Sequence, residues 1–302
     1  VLPTRDFGRA NDGGSMTGAL STVTLRGNSR ARPGARVTLG EALSGGILAL
    51  LLVAAIAPQL LAPGDPLAVH PLESFRPPSW GHLFGTDESG RDIFTRVVHG
   101  ARPSLLIGLA ATAIGVGLAL ILGTLGALSN RVVDFATTRI VEVLFALPGL
   151  LLALVFIAIA GPGILTTTIA VGLSTAPGYA RIIRGRIRAV RESEYIDAAV
   201  VLGRSPWFIT SRHIIPNALA PVFVLATLGV GQAIVWASSL SYLGLGAVPP
   251  AAEWGAMLSA GRTYMSVAWW MTVFPGLAIV ATAAAATTLG RSIQARTRQG
   301  QK

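Results

Sequence analysis

Asp87, Glu88, Arg91 and Asp92 crowd around Gly90, Arg139 and Glu142 stand three residues apart, and a third polar stretch runs from Arg191 to Asn217. These are the places where the chain holds groups able to do chemistry, and none assembles a bond-breaking site. There is no G-x-x-x-x-G-K-[ST] phosphate loop, no H-E-x-x-H and no G-x-S-x-G, and His70, His82, His99 and His213 are too scattered to hold a metal. With no cysteine, thiolate chemistry and disulfides are excluded. What remains is recognition and the transmission of force. Arg139 and Glu142 share a helical face; they read as an ion pair that makes both tolerable at shallow membrane depth, the alternative being a transport relay.

The Arg191–Asn217 stretch has a definite local shape. Glu194–Leu202 favours helix through Ala198, Ala199 and Leu202, with Glu192 and Glu194 at its positive N-terminal end. Gly203 stops it in a positive-φ conformation. Ser205-Pro206 is a cap and first-turn pair opening a second short helix, Pro206–His213. Small Ala198 and Ala199 allow close approach of a partner, while Tyr195, Ile196, Val200 and Trp207 offer apolar contact. Two short helices strapped to membrane spans at both ends form a knob that can transmit force. The plainer alternative is a basic loop with no partner.

The elements that position these groups are apolar. The chain is 52% hydrophobic and 13% charged, where soluble domains carry about 25% charge. Pro103–Asn130, Val143–Ala180, Ile214–Ala252 and Thr263–Gly290 hold no charged residue, and Ala42–Leu72 holds only Asp65. A span needs about 20 residues; Val143–Ala180 is long enough for two, with Gly161-Pro162-Gly163 as the turn. The expected architecture is all-α and polytopic, with six transmembrane helices near 43–61, 104–128, 135–160, 164–180, 216–240 and 268–289. Pro148 should kink the third. Glycines 108, 115, 117, 123 and 126 should let neighbours approach the second closely.

With the N-terminus inside, 19 of the 24 Lys and Arg residues fall on the inner side and five outside, which is the positive-inside bias. The net charge of +10 is therefore topological, and nucleic acid is not the expected partner. Residues 1–40 read as a disordered cytoplasmic tail whose arginines can meet anionic lipid, and not as a signal peptide. Residues 292–302 form a second cytoplasmic tail. Outside, in segment 63–103, the stretch Phe84–Arg102 suggests an interfacial helix with Ile93, Val97 and Val98 on one face and Arg96 toward the headgroups. A direct part in receiving cargo is its other reading. Trp254, Tyr264, Trp269 and Trp270 are the expected interface anchors.

Asp197-Ala198-Ala199, Gly203 four positions after Ala199, and Ile215-Pro216 resemble the EAA loop of permease subunits of bacterial ABC importers. Asp197 stands where that pattern has Glu, Ile215 where it has Leu, and His213 where it has its first Ile. Gly85-Thr86-Asp87, Gly90-Arg91-Asp92, Gly100-Ala101-Arg102, Pro177–Arg181, Arg212–Asn217, Ser241–Gly246 and Trp254-Gly255 resemble, in order, the C-type permease of dipeptide and oligopeptide importers. The resemblance spans about Glu41–Arg291.

It implies a type I ABC importer permease fold in residues 41–291, in a bacterial cytoplasmic membrane, with both termini cytoplasmic. A homologous B-type permease would complete the pathway for dipeptides or oligopeptides, and an extracytoplasmic peptide-binding protein would deliver them. Two ABC ATPases would carry the ATP and Mg2+, so this chain is not an enzyme and needs no cofactor. Within the coupling loop, 181–216, it implies that Asp197, Ala198, Ala199 and Gly203 seat in an ATPase groove, flanked by Glu194, Tyr195, Ser205, Pro206, Ile215 and Pro216. Nickel or another small solute is the alternative cargo. A self-contained secondary transporter is the alternative class, although outside Arg139 and Glu142 the spans hold no charge for a coupling-ion site.

Overall fold

Thr38 and Glu41 start the described chain with a capping box: the Glu41 N–H donates to the Thr38 hydroxyl at 3.3 Å and the Thr38 N–H to the Glu41 carboxylate at 3.0 Å. This computed structural model describes residues 38–299, so the tail expected over 1–40 lies outside them up to residue 37. The first helix, α1 (Leu39–Ile56), begins four residues before the expected span and ends two residues before Pro58, because the residue preceding a proline avoids helical geometry. The remaining helices are α2 (Ile93–Leu128), α3 (Arg131–Phe145), α4 (Gly149–Ala160), α5 (Ile164–Arg191), α6 (Glu194–Val201), α7 (Pro206–Ile209), α8 (Ile215–Tyr242), α9 (Trp254–Gly261) and α10 (Trp270–Gln299). Residues 292–299 thus continue the last helix.

Among the described residues four helices are long and apolar enough to cross a membrane: α1, α2, the Val222–Tyr242 part of α8, and α10. The bent pair α3–α4 makes a fifth if it counts as one span. The six-span expectation therefore turns on α5. That helix carries Thr166, Thr167, Thr168, Ser174 and Thr175 along its first half and arginines from Arg181 onward. Its side chains face α2, α4 and α8 as well as the surroundings, and a helix enclosed by others does not need a lipid-like surface all round.

Among the described residues the most extensive helix–helix contact is between α2 and α5. A Cβ on Gly115 would lie 2.4 Å from Thr175 Oγ1 and 3.0 Å from the Gly172 carbonyl oxygen, and one on Gly172 would lie 2.8 Å from the Ala111 carbonyl oxygen. Gly108, Gly123 and Gly126 likewise abut neighbouring elements, whereas Gly117 faces open space.

Several expectations are corrected. The interfacial helix and the second span are one helix of 36 residues running through Pro103. The third span is broken rather than kinked: α3 and α4 meet at 94°, because Pro148 takes an extended conformation (ψ 133°) as the residue before α4. The basic run Arg181–Arg191 is the continuation of α5 and not a loop.

The segment before α2 makes a cap that sequence patterning misjudged. Arg96 is buried at 5% exposure. It does not point to headgroups: it lies 3.7 Å from the Asp87 carboxylate and donates to the Pro66 carbonyl at 3.3 Å and the Pro250 carbonyl at 3.2 Å. Trp254 is fully buried, its indole N–H donating to the Val97 carbonyl at 2.9 Å, and Trp270 is buried with its N–H on the Thr86 carbonyl at 3.0 Å. Neither is an interface anchor; Trp269 is exposed, and Tyr264 is half-buried against Phe75. Glu253, also buried, accepts from the Gly255 and Ala256 N–H groups and from the Ser104 hydroxyl, tying α9 to α2.

Removing one partner of a buried ion pair leaves a charge without compensation. Arg96→Ala is expected to destabilise the protein by about 3 kcal/mol, while Arg139→Ala, in an exposed pair, should shift stability by less than about 1 kcal/mol. Thermal unfolding of the detergent-solubilised protein measures both.

Candidate functional site at the helical knob and the broken helix

The two-residue link Glu192-Ser193 separates α5 from α6, which joins the apolar cluster at the end of α5. Its inner face, Ile196 and Ala199, is buried with Ile183 and Ile187 of α5, Ile209 of α7 and Ile214. Its outer face leaves Glu194, Asp197 and Ala198 exposed. Gly203 has φ +69°, its N–H donates to the Val200 carbonyl at 2.9 Å, and the Arg204 N–H reaches the Ala199 carbonyl at 3.2 Å. These two bonds make a Schellman motif, which needs the left-handed residue that glycine supplies most readily. The Ser205 hydroxyl then accepts from the Phe208 N–H at 3.3 Å, with Pro206 in the first turn of α7.

The second short helix does not end at His213. It passes through one π turn, Thr210–Ile214, directly into α8. Pro216 has no N–H to offer the carbonyl one turn back; the Ile215 N–H bonds the Thr210 carbonyl, and the Asn217 side chain donates to the His213 carbonyl at 2.7 Å. Asn217 also donates to the Tyr195 hydroxyl at 3.3 Å, fastening α6 to α8. Ile215 and Pro216 open α8, where the fifth span is expected to begin. Around the Gly203 elbow, Val200, Val201, Leu202 and Trp207 form an apolar surface, with Leu202 77% and Trp207 78% exposed.

One group that sequence reading did not single out ties this knob to the rest. Asp134, in the first turn of α3, pairs with Arg184 and, at 2.7 Å, with Arg188 of α5. Arg191 donates to the Ala127 carbonyl at the end of α2 at 3.2 Å. Arg184, Arg188 and Arg191 share one face through their spacing, so much of the basic run is engaged with protein. Asp134 lies 50 residues from Arg184, and no local pattern could have paired them.

At the other end of α3, the break at Ala146–Gly149 borders a cleft of about 670 Å³ between α3, α4, α5 and α8. Phe145, Pro148, Tyr179, Arg181, Gln232 and Trp236 are among its walls. Trp236 sits against Gly149, where a Cβ would lie 2.3 Å from the ring. Arg139 Nη1 lies 3.0 Å from Glu142 Oε2 on the exposed side of α3.

The remaining sequence-selected residues form a separate group. Gly85 and Gly90 have φ +74° and +76°. Thr86 is buried and bridged to Asp92. Asp87 accepts from the Ser89 and Arg91 N–H groups at 2.8 and 2.9 Å, and Asp92 caps α2 by accepting from the Thr95 N–H at 2.8 Å. This cap closes the Ile93 end of α2 while Arg191 touches the other, about 54 Å away at 1.5 Å per residue. The structure does not bring the two groups together.

Residues 115–299 match the family model described as the binding-protein-dependent transport system inner membrane component. The chain belongs to that family. It is a permease component and not an enzyme, with an inner-membrane location. It is 38% identical over 248 residues to a probable D,D-dipeptide transport system permease protein of Escherichia coli K12, covering 82% of this chain and 83% of that one. It is 37% identical over 263 residues to a di/tripeptide transport system permease protein of Pseudomonas aeruginosa UCBPP-PA14, covering 83% and 85%. Among solved structures, an amino acid ABC transporter crystallised with histidines aligns with a TM-score of 0.54 at 19% identity, over 68% of this chain and 94% of that one. The inward-facing methionine ABC transporter aligns with a TM-score of 0.54 at 17% identity, over 67% and 97%. The permease thus has the ABC importer permease fold.

Asp134→Ala in this permease frees two guanidinium groups and removes the tie between α3 and α5. The expected loss is about 2 kcal/mol, with faster proteolysis at Glu192-Ser193 as the local readout alongside thermal unfolding.

Proposed function

We propose that this chain is the C-type permease of an ATP-driven peptide importer. In this reading it forms the translocation pathway for dipeptides or oligopeptides with a homologous B-type permease. Two ABC ATPases, which hold the ATP and Mg2+, dock on the loops of the two permeases, and an extracytoplasmic binding protein delivers the peptide. The single observation that carries the reading is the knob: an exposed apolar tip on a glycine elbow, continuous at both ends with α5 and α8. Lipid does not suit a surface that follows five arginines between residues 181 and 191, whereas a soluble partner does. The peptide cargo rests on the relatives, whose names specify dipeptides and tripeptides. The knob lies on the cytoplasmic side in this reading, with both chain ends, in keeping with the positive-inside bias.

Asp197, Ala198 and Gly203 meet the ATPase, with Ala199 buried beneath them, and movement passes through α5 and the Asp134 clamp to α3 and the broken helix. At Gly203 a Cβ would meet nothing within 4 Å in this chain, so a side chain there fills space that the partner needs. Gly203→Val adds bulk and a left-handed strain of about 1–2 kcal/mol. It should abolish peptide-stimulated ATP hydrolysis by the assembled complex while the chain remains folded in the membrane. Gly203→Asn, which tolerates this φ, separates strain from docking, and co-purification of the subunits is measured alongside. Wild-type ATP-coupled uptake by the Gly203→Val complex would sink the coupling assignment.

A further inference from the structure

We propose that Arg181 holds the carboxylate of a peptide in transit, at the knob-facing end of the cleft beside the broken helix. The proposal rests on the peptide-importer reading and assigns a ligand group to a site within it. The cleft, about 670 Å³, falls within the 300–1,000 Å³ typical of small-ligand sites. Its walls mix the rings of Phe145, Tyr179 and Trp236 with Gln232, Ser174 and Thr175. Ser174 and Thr175 donate to carbonyls of their own helix, each at 2.9 Å. Their oxygens keep lone pairs to accept peptide N–H groups, and an amide such as Gln232 can both donate and accept.

Arg181 is the one formal charge in this lining. Its guanidinium carbon sits 4.1 Å from the Phe145 ring centroid, a contact that fixes the group without using up its donors. Other cations nearby are engaged: Arg184 and Arg188 by Asp134, and Arg139 by Glu142. Glu142 and Arg181 line an adjoining crevice, yet among the described residues no carboxylate comes within 4.0 Å of Arg181. Arg181 lies 17 residues into α5, about 26 Å along its axis.

The chemistry that answers an open guanidinium in an otherwise neutral cleft is a carboxylate, which it can grip with two parallel hydrogen bonds. Every peptide with a free C-terminus carries one. A bare divalent cation finds no partner in this lining, which contains no Asp, Glu, His or Cys. The cleft therefore orients a peptide with its carboxyl end at Arg181 and its backbone against Gln232 and the hydroxyls.

The test uses the assembled complex in proteoliposomes and two dipeptide probes, one with a photoreactive group on the C-terminal residue and one on the N-terminal residue. During ATP-driven turnover the C-terminal probe should label the Phe145–Gly149 region. Arg181→Gln should reduce that labelling and the uptake of unmodified dipeptide on the order of tenfold, the factor for one lost charge-assisted hydrogen bond. Arg181→Lys, which keeps the positive charge, should restore part of the loss. Equal labelling of that region by both probes, or unchanged C-terminal labelling in Arg181→Gln, overturns the assignment. So does an Arg181→Gln effect confined to dependence on anionic lipid, which would make the residue a headgroup anchor. A wild-type complex that takes up nickel and no peptide removes the peptide-importer reading itself.

Discussion

The contact of α2 with α5 sets the geometry that everything else inherits. Gly115 and Gly172 bring the two backbones so close that a methyl group on either would meet a neighbouring carbonyl oxygen at 3.0 Å or less. In a membrane, where burial of apolar surface gives no drive for helices to associate, such close packing supplies the attraction. It also frees the remaining faces of α5 for other work: one side lines the cleft and the far end runs into the knob. A central helix held this firmly at its middle acts as a lever, because displacement at one end must appear along its length.

Asp134 makes that lever act on α3. One carboxylate holds two guanidinium groups a turn apart on α5, and it stands in the first turn of the helix whose other end is the 94° break. Knob, clamp and cleft therefore form one chain: α6 shares an apolar cluster with α5, Asp134 ties α5 to α3, and α3 leads to the bend bordering the cleft. The exposed Arg139–Glu142 pair, on the same helix, makes no such link and adds little to stability.

At the opposite end charge is used differently. Asp87 and Arg96 are both buried, and their desolvation is offset by backbone donors and acceptors around them rather than by water. Glu253 and Ser104 repeat the pattern between α9 and α2. The result is a cap that seats the ends of α1, α2 and α10.

The sequence by itself determined the features whose causes are local. Uncharged runs located the helices, Gly161 and Gly163 marked a turn with positive φ, and Gly203 followed by Ser205-Pro206 specified a Schellman elbow and a capped helix, all within a few residues of the cause. It also carried the spacing that resembles the permease loop. Tertiary structure alone decided whether a charge is buried or exposed and whether a helix stops or continues. Arg96 looked like a headgroup contact until carbonyls 30 and 154 residues away enclosed it. The arginines from 181 to 191 looked like a loop until Asp134 and Ala127 gave them partners along a helix. Proline at 148 signalled a disturbance, but not a 94° break between α3 and α4 with Trp236 packed against Gly149. The physical reason is the same throughout: propensity and capping act over one helical turn, whereas desolvation and ion pairing depend on what the rest of the chain brings alongside.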